Sequence, residues 1–440
     1  MNLIRVIPAK GVEPAIMDSP HTRGADVVVV GDGLIGLVTA WRAAQQGLKV
    51  AVVAPDPPVD GSASGTAAGM LTPATEATFG EEPLMRFGIA SRDRYPAFVE
   101  ELRADSGTDP CFRTGGTLQV AFDTDDLSKL TELGELQTRL GLDCARLTGR
   151  EARRMEPMLA PSVRGGLFAP DDHSVDPREL RRALGAAAGR RGVARVPEAV
   201  AEVLVDADRA MGVLLASGTR IDADQVVLAA GAWTAALGGV PAGVVPPLRP
   251  VKGQLLRLRT PDGEPPIVGR TVRGLVRGSP VYLVPRASGE VVLGATQEEL
   301  GGDTRLTAGG LWEVLRDGRE LVPGVTELEV AEACVGLRPG SPDNEPLLGP
   351  TRIAGLHLAA GHFRHGVLFT PATGDAMAAV LTGKALPEFA RRFAADRVDR
   401  TADRTADRAT GRAVDRTTGR ADRAAGTRPD HAPIGGGAAC

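Results

Sequence analysis

Gly31, Gly33 and Gly36 stand in G-x-G-x-x-G spacing. That pattern lets a backbone turn tightly, approach a pyrophosphate and pack a helix closely on a strand. A helix starting there offers free N–H groups and a partial positive charge to phosphates. Far along the chain, Arg338 sits in Gly-Leu-Arg-Pro-Gly just after a predicted strand, where Gly336, Pro339 and Gly340 predict a sharp bend. An arginine fixed on a bend is suited to gripping a carboxylate with two parallel N–H donors. Tyr282, one of two tyrosines, lies in the strand-like PVYLVPR and can offer its hydroxyl to the same carboxylate. Taken alone, Arg338 also reads as a surface loop arginine and Tyr282 as a sheet-packing tyrosine.

The elements that must position these residues follow from periodicity. Val27 to Val30 is an unbroken β-branched run, as in a parallel strand buried on both faces. Leu34, Ile35, Leu37, Val38 and Trp41 recur at helical spacing, Gly47 suits a helix C-cap, and Lys49 to Ala54 reads as a second strand. Strand, turn, helix and strand form the context in which the glycine spacing signifies a bound dinucleotide. Residues 55–80 are rich in Pro, Gly, Ala, Ser and Thr, including SASGTAAGM at 62–70. Small residues there let N–H groups and hydroxyls reach a ligand; a flexible loop is the alternative. Helices are predicted over 82–105, 125–140 and 179–190, and strands over 117–122, 200–205, 210–215 and 225–230. The strands at 200–205 and 210–215 form a hairpin. The strand at 225–230 runs into AAGAWT at 229–234, which reads equally as a cofactor-contacting strand end or an ordinary strand-to-helix turn. Alternation over 251–258, 281–286, 290–295 and 328–334 predicts an antiparallel sheet in a second domain. The chain returns in LHLAAGHFRHGVLFTPATGDAMAAVLTG at 356–383, a strand to Gly361 and then a helix to about Leu381. Thr370 and Pro371 suit the N-cap and N1 of its regular part. Gly361 and Gly366 permit close backbone approach, or are simple turn glycines.

Composition excludes several functions. A net charge of -4 speaks against nucleic acid or an anionic membrane as partner. No apolar run has transmembrane length and nothing at the start resembles a signal peptide, so a cytoplasmic location is expected. Cys111, Cys144, Cys334 and Cys440 are scattered, which favours reduced thiols over a disulfide framework or zinc site. His362 and His365 lack further ligands in the sequence, so no metal is expected. Residues 1–25 read as an extension, with Met17 an alternative start, and 394–440, with Asp-Arg pairs at short intervals, as a disordered tail.

From about 26 to 393 the sequence resembles the FAD-dependent D-amino-acid oxidase and sarcosine oxidase family, and within it the glycine oxidases of thiamine biosynthesis. The stretches that carry this are GDGLIGL at 31–37, TAAGML at 66–71, PVKGQ at 250–254, VYLVPR at 281–286, VGLRPG at 335–340 and AAGHFRHGVLFTPATG at 359–374. The resemblance implies an α/β Rossmann-like FAD-binding domain (26–112, 168–246 and 330–393) and an α+β substrate domain with a large antiparallel sheet (113–167 and 247–329). It implies noncovalent FAD contacted by Leu34, Ile35, Ser64, Ala68, Gly69, Met70, Val200 and the run His362, Phe363, Arg364, His365, Gly366, Val367 and Leu368. Arg338 would then pair with the substrate carboxylate, Tyr282 would hydrogen-bond it and Arg364 would shape the pocket. In flavoproteins a helix end like the one after Gly361 lies by the flavin's pyrimidine edge, where its dipole stabilises charge arriving with a hydride. The implied reaction passes a hydride from Cα of glycine or a similar small amine to flavin N5, with oxygen reoxidising the flavin to give hydrogen peroxide. The imine goes to glyoxylate and ammonia or on to thiazole synthesis. A homo-oligomer is implied. Sarcosine or D-amino acids as substrates, a flavin-binding protein without turnover, and a nicotinamide dehydrogenase are the alternatives. The chain departs from the family pattern at Ala54, where an acid usually holds the ribose (Asp56 follows), and at Asp32, Pro280, Thr72 and Thr75.

Overall fold

The computed structural model describes residues 24–397. Nearly all of the expected extension, Met17 included, and the tail from 398 lie outside the described residues. Val27 to Val30 are buried because the strand has neighbours on both edges. Ala25–Val30 pairs in parallel with Val50–Val53 and with Arg220–Leu228, Val27 standing opposite Val50 and Gln225. The sheet order is Leu347–Pro350, Leu356–Ala360, Arg220–Leu228, Ala25–Val30, Val50–Val53, Ala194–Val196, parallel except for the first pair. The predicted hairpin, Val200–Asp206 with Arg209–Leu215, joins it at Arg220–Leu228. Helix Leu34–Gln45 packs between Pro177–Arg190 and Thr370–Leu381, burying Leu37, Val38 and Trp41.

The strand order creates the site. Val30 stands beside Leu228 and Leu228 beside Leu358, so three parallel strands end at one edge. Gly31 (φ +111°), Gly231 (φ +58°) and Gly361 (φ +73°) turn the chain just beyond those ends. The crevice outside the carboxyl ends of parallel strands is where such sheets bind ligands.

The second sheet has the order Glu329–Gly340, Arg249–Arg259, Glu290–Gly294, Ser279–Pro285, Thr271–Val276, Thr117–Ala121, Gly165–Ala169, Ala145–Thr148. It is antiparallel except where Thr271–Val276 runs parallel to Thr117–Ala121. Period-two alternation gives it two unlike faces. Leu256, Leu258, Val272, Leu283, Val291 and Leu293 join Val314 and Leu321 of helix Ala308–Leu321 in an apolar core. The opposite face carries Gln119, Arg273, Tyr282, Gly253 and Arg338.

Three local expectations need correction. Arg338 lies within a strand, not on a bend after one: Glu329–Gly340 continues through it, with Arg338 opposite Val251 and Pro339 opposite Pro250. Pro339 is tolerated because this strand is the sheet's edge. The helical run 82–105 is two helices, Glu82–Arg92 and Tyr95–Ser106. Pro96 has no N–H for the carbonyl four residues back, and so starts a new helix. The helix after Gly361 has Phe369 as N-cap, and the Thr370 hydroxyl donates back to the Gly366 carbonyl at 2.9 Å. A turn at Phe363–His365 already leads into it.

We propose a domain division that follows sheet membership. Glu329–Gly340, placed from 330 on the FAD side by sequence, is paired along its length with Arg249–Arg259 of the second sheet. Gly165–Ala169, which a boundary at 168 would cut, belongs there too. Among the described residues no helix is long and apolar enough to cross a membrane.

Candidate active site

A cavity of about 800 Å³ lies between the crevice and the polar face of the second sheet. At the crevice, Gly33 caps helix Leu34–Gln45 without a side chain, leaving first-turn N–H groups open; the Leu34 N–H meets the Ser64 hydroxyl at 3.1 Å. Gly31, Gly33, Leu34, Ile35, Ser64, Ala68, Gly69, Met70 and Val200 all line the cavity. Gly36 does not: a methyl there would run into the Gly31 carbonyl, so Gly36 serves the packing of helix on turn. From the third strand end, His362, Phe363, Arg364, Gly366 and Val367 line the wall, whereas Gly361, His365 and Leu368 stand back from it. Gly361 turns the chain, His365 faces Glu76 at 3.5 Å, and Leu368 packs in the core. Burial pushes the His362 imidazole down to about 3, and its Nε2 lies 3.0 Å from the Thr373 hydroxyl. His362 is therefore neutral at working pH.

The second sheet supplies the opposite wall. Arg338 reaches over Gly253, where a methyl would sit 2.6 Å from its Nη2. Its Nη1 donates to the carbonyls of Lys252 (3.3 Å) and Thr296 (3.2 Å). These bonds hold the guanidinium without neutralising it. Among the described residues, the other cations on the wall have acid partners: Arg273 with Glu76 (2.8 Å), Arg364 with Glu81 (3.2 Å) and Lys129 with Asp126 (3.7 Å). Arg338 has none. Tyr282 stands opposite Gly294, whose missing side chain leaves room for the phenol, and it faces the cavity. Burial pushes the Tyr282 phenol above its ordinary value, so it stays protonated and can donate. Arg364 also donates to the Thr78 hydroxyl at 3.0 Å and braces the turn at 78–81.

Sequence reasoning missed three contributors. Arg273 stands opposite Tyr282 and touches both Glu76 and the Met70 sulfur (3.5 Å). Burial opposes ionisation of Glu76, but Arg273, His365 and Arg364 outweigh it and hold the carboxyl below the usual range. Asp172, wholly buried, accepts from the N–H groups of Ala74 (3.1 Å) and Thr75 (3.0 Å) and from the Thr75 hydroxyl (2.8 Å), clamping the loop that carries Glu76. Arg286, buried in VYLVPR, donates to the carbonyls of Val175 (3.1 Å) and Ala68 (2.5 Å) and so holds the loop at 68–70. An alternating strand with one internal arginine, as at 271–276, is the signal that would have revealed Arg273. Of the departures noted above, Ala54, Thr75 and Pro280 line the cavity, Thr72 does not, and Asp56 pairs with Arg195 at 3.0 Å.

An open helix N-terminus, glycine turns at three strand ends and a cavity running from Pro58 and Val59 to Tyr282 fit a dinucleotide with a ring system at its far end. Fold and cavity together define a flavin-type oxidoreductase. The chain belongs to the FAD dependent oxidoreductase (DAO) family, whose model matches residues 26–380. It is similar to the glycine oxidase of Geobacillus kaustophilus, with 33% identity over 356 residues, 80% of this chain and 92% of that one. The solved glycine oxidase structure from Geobacillus kaustophilus superposes with a TM-score of 0.78 at 31% identity, covering 85% of this chain and 98% of that one. The bifunctional protein ThiO/ThiG of Trichormus variabilis is 30% identical over 382 residues, 86% of this chain but only 56% of that longer protein. The chain is an FAD-dependent amino-acid oxidase.

Proposed function

We propose that the enzyme oxidises glycine and similar small primary or secondary amines to the imine, which water converts to glyoxylate and ammonia or which passes to thiazole formation in thiamine biosynthesis. The observation that carries this reading is the unneutralised Arg338 on the cavity wall. Its free N–H groups take the substrate carboxylate, and the Tyr282 hydroxyl donates to the same group. Held at one end, a small zwitterion has few ways to turn, so its Cα–H is presented in one direction. The residues at the crevice, from Gly31 to Ile35, Ser64 to Met70 and His362 to Val367, hold the cofactor. FAD, when bound, supplies the hydride acceptor and hands the electrons to oxygen as hydrogen peroxide. Molecular oxygen and a small amino acid are thus its reactants, and we place it in the cytoplasm as a homo-oligomer.

A second reading has support from one feature. Past Tyr282 the cavity continues to Leu275, Pro280, Leu130 and Leu133, apolar space that glycine does not fill. Sarcosine or a D-amino acid would fill part of it. The test is anaerobic: glycine, sarcosine and D-alanine are added separately to the yellow holoenzyme and flavin bleaching is followed. Fast bleaching by glycine supports the first reading. Bleaching by D-alanine or sarcosine alone replaces it with the second, and no bleaching by any of the three sinks both.

A further inference from the structure

The glycine loop carries an acid where the cofactor's anionic pyrophosphate is expected, since Asp32 occupies the second fingerprint position and lines the cavity. Its carboxylate is not left alone. Arg181, one turn into helix Pro177–Arg190, grips Asp32 twice: Nη2 lies 2.6 Å from Oδ2, and Nε donates to the Asp32 carbonyl at 3.0 Å. Arg195, on strand Ala194–Val196, lies 3.5 Å from the same Oδ2 and 3.0 Å from the Asp56 carboxylate. Neither arginine is part of the cavity wall, so both act on the cavity through Asp32.

We propose that Arg181, seconded by Arg195, is a positioning residue for FAD: it neutralises Asp32 and braces the glycine turn, and so sets cofactor affinity. The argument is one of charge. An unpaired carboxylate beside a pyrophosphate repels it, and in this partly buried corner solvent screens the repulsion poorly. Pairing removes the net charge. The second contact, to the backbone carbonyl, fixes the turn whose neighbouring N–H groups face the ligand. An acid at this position therefore requires a cation on the neighbouring helix, and the two residues form one functional unit. The inference rests on FAD lying at the fingerprint.

Full-length holoenzyme is diluted serially and free flavin is read by its fluorescence, giving a dissociation constant for wild type, Arg181→Ala, Asp32→Asn and the double variant. Arg181→Ala is expected to weaken FAD binding about tenfold, and the double variant to return to within roughly threefold of Asp32→Asn. Arg181→Gln, which keeps a donor for the Asp32 carbonyl without the charge, stands in if the alanine variant does not fold. A dissociation constant for the single arginine variant within about threefold of wild type overturns the proposal. So does a double variant that stays as weak as the single one, because a merely structural arginine is not rescued by removing the acid. Wild-type protein that carries no FAD at all would instead overturn the placement of the cofactor.

Discussion

Replacing Arg338 by alanine tests the carboxylate grip most directly. The guanidinium is held by two backbone carbonyls and has no acid partner among the described residues, so its remaining donors are available to a substrate. A hydrogen-bonded contact to a charged group contributes about 1.5–3 kcal/mol, and each 1.4 kcal/mol is tenfold, so kcat/KM for glycine should fall roughly ten- to two-hundredfold. The carboxylate takes no part in bond breaking. The grip is therefore similar in ground and transition states, and the loss should appear in KM more than in kcat. Flavin content should not change, because Arg338 stands on the second sheet, away from the fingerprint. Arg338→Lys keeps a charge but lacks the planar fork that reaches two carbonyls and a carboxylate together, and should fall between the two. Oxygen consumption against glycine concentration gives both constants, with absorbance reporting flavin. Methylamine, which has no carboxylate, should be an equally poor substrate for both proteins. Glycine kinetics unaltered in a flavin-replete Arg338→Ala enzyme would refute the assignment.

Gly253→Ala should imitate the loss of Arg338 with flavin retained, since the added methyl lies 2.6 Å from Nη2 and must push the guanidinium aside; a normal glycine KM would contradict this. Gly294→Ala should displace the Tyr282 phenol and lower kcat/KM for glycine, and unchanged kinetics would remove the tyrosine from the site. Burial pushes Asp172 up to about 6 despite its three donors. The folded protein then holds this proton more tightly than the unfolded chain, so the associated stability is full below about pH 4 and is lost as pH rises through about 6. Urea unfolding over that range should show wild type falling relative to Asp172→Asn by about 3 kcal/mol, and parallel curves would exclude it.

The fingerprint was legible because a βαβ unit packs its message into thirty residues: a buried valine run, three glycines and a helical stripe each agree with the others. The return of the chain at 356–383 was legible for the same reason. Arg338 and Tyr282 were found by type and neighbours, but their placement was not. The glycines and proline around Arg338 signal a bend in isolation, and only pairing with Arg249–Arg259 makes a strand of them. Helix Ala308–Leu321 escaped notice because Gly309, Gly310 and Gly318 dilute its period. The Arg273–Glu76 and Asp32–Arg181 pairs join residues 197 and 149 positions apart, a distance that local pattern does not span.

Charge explains why this cavity orients its substrate and needs no strong base. Three groups on its wall have the chemistry to take a proton from an amine. Glu76 is held as the anion by Arg273, His365 and Arg364, and that stabilisation is what makes it a poor base. His362, pushed down to about 3, holds a proton weakly and already meets Thr373. Tyr282, pushed up, keeps its proton and can only donate. A substrate arriving as a neutral amine needs none of them: its lone pair assists departure of the hydride, and the protein's task is to fix the carboxylate so that the Cα–H points one way. The wall is built for that task, with each of its other cations matched to an acid and one guanidinium left over for the carboxylate that comes in with the substrate.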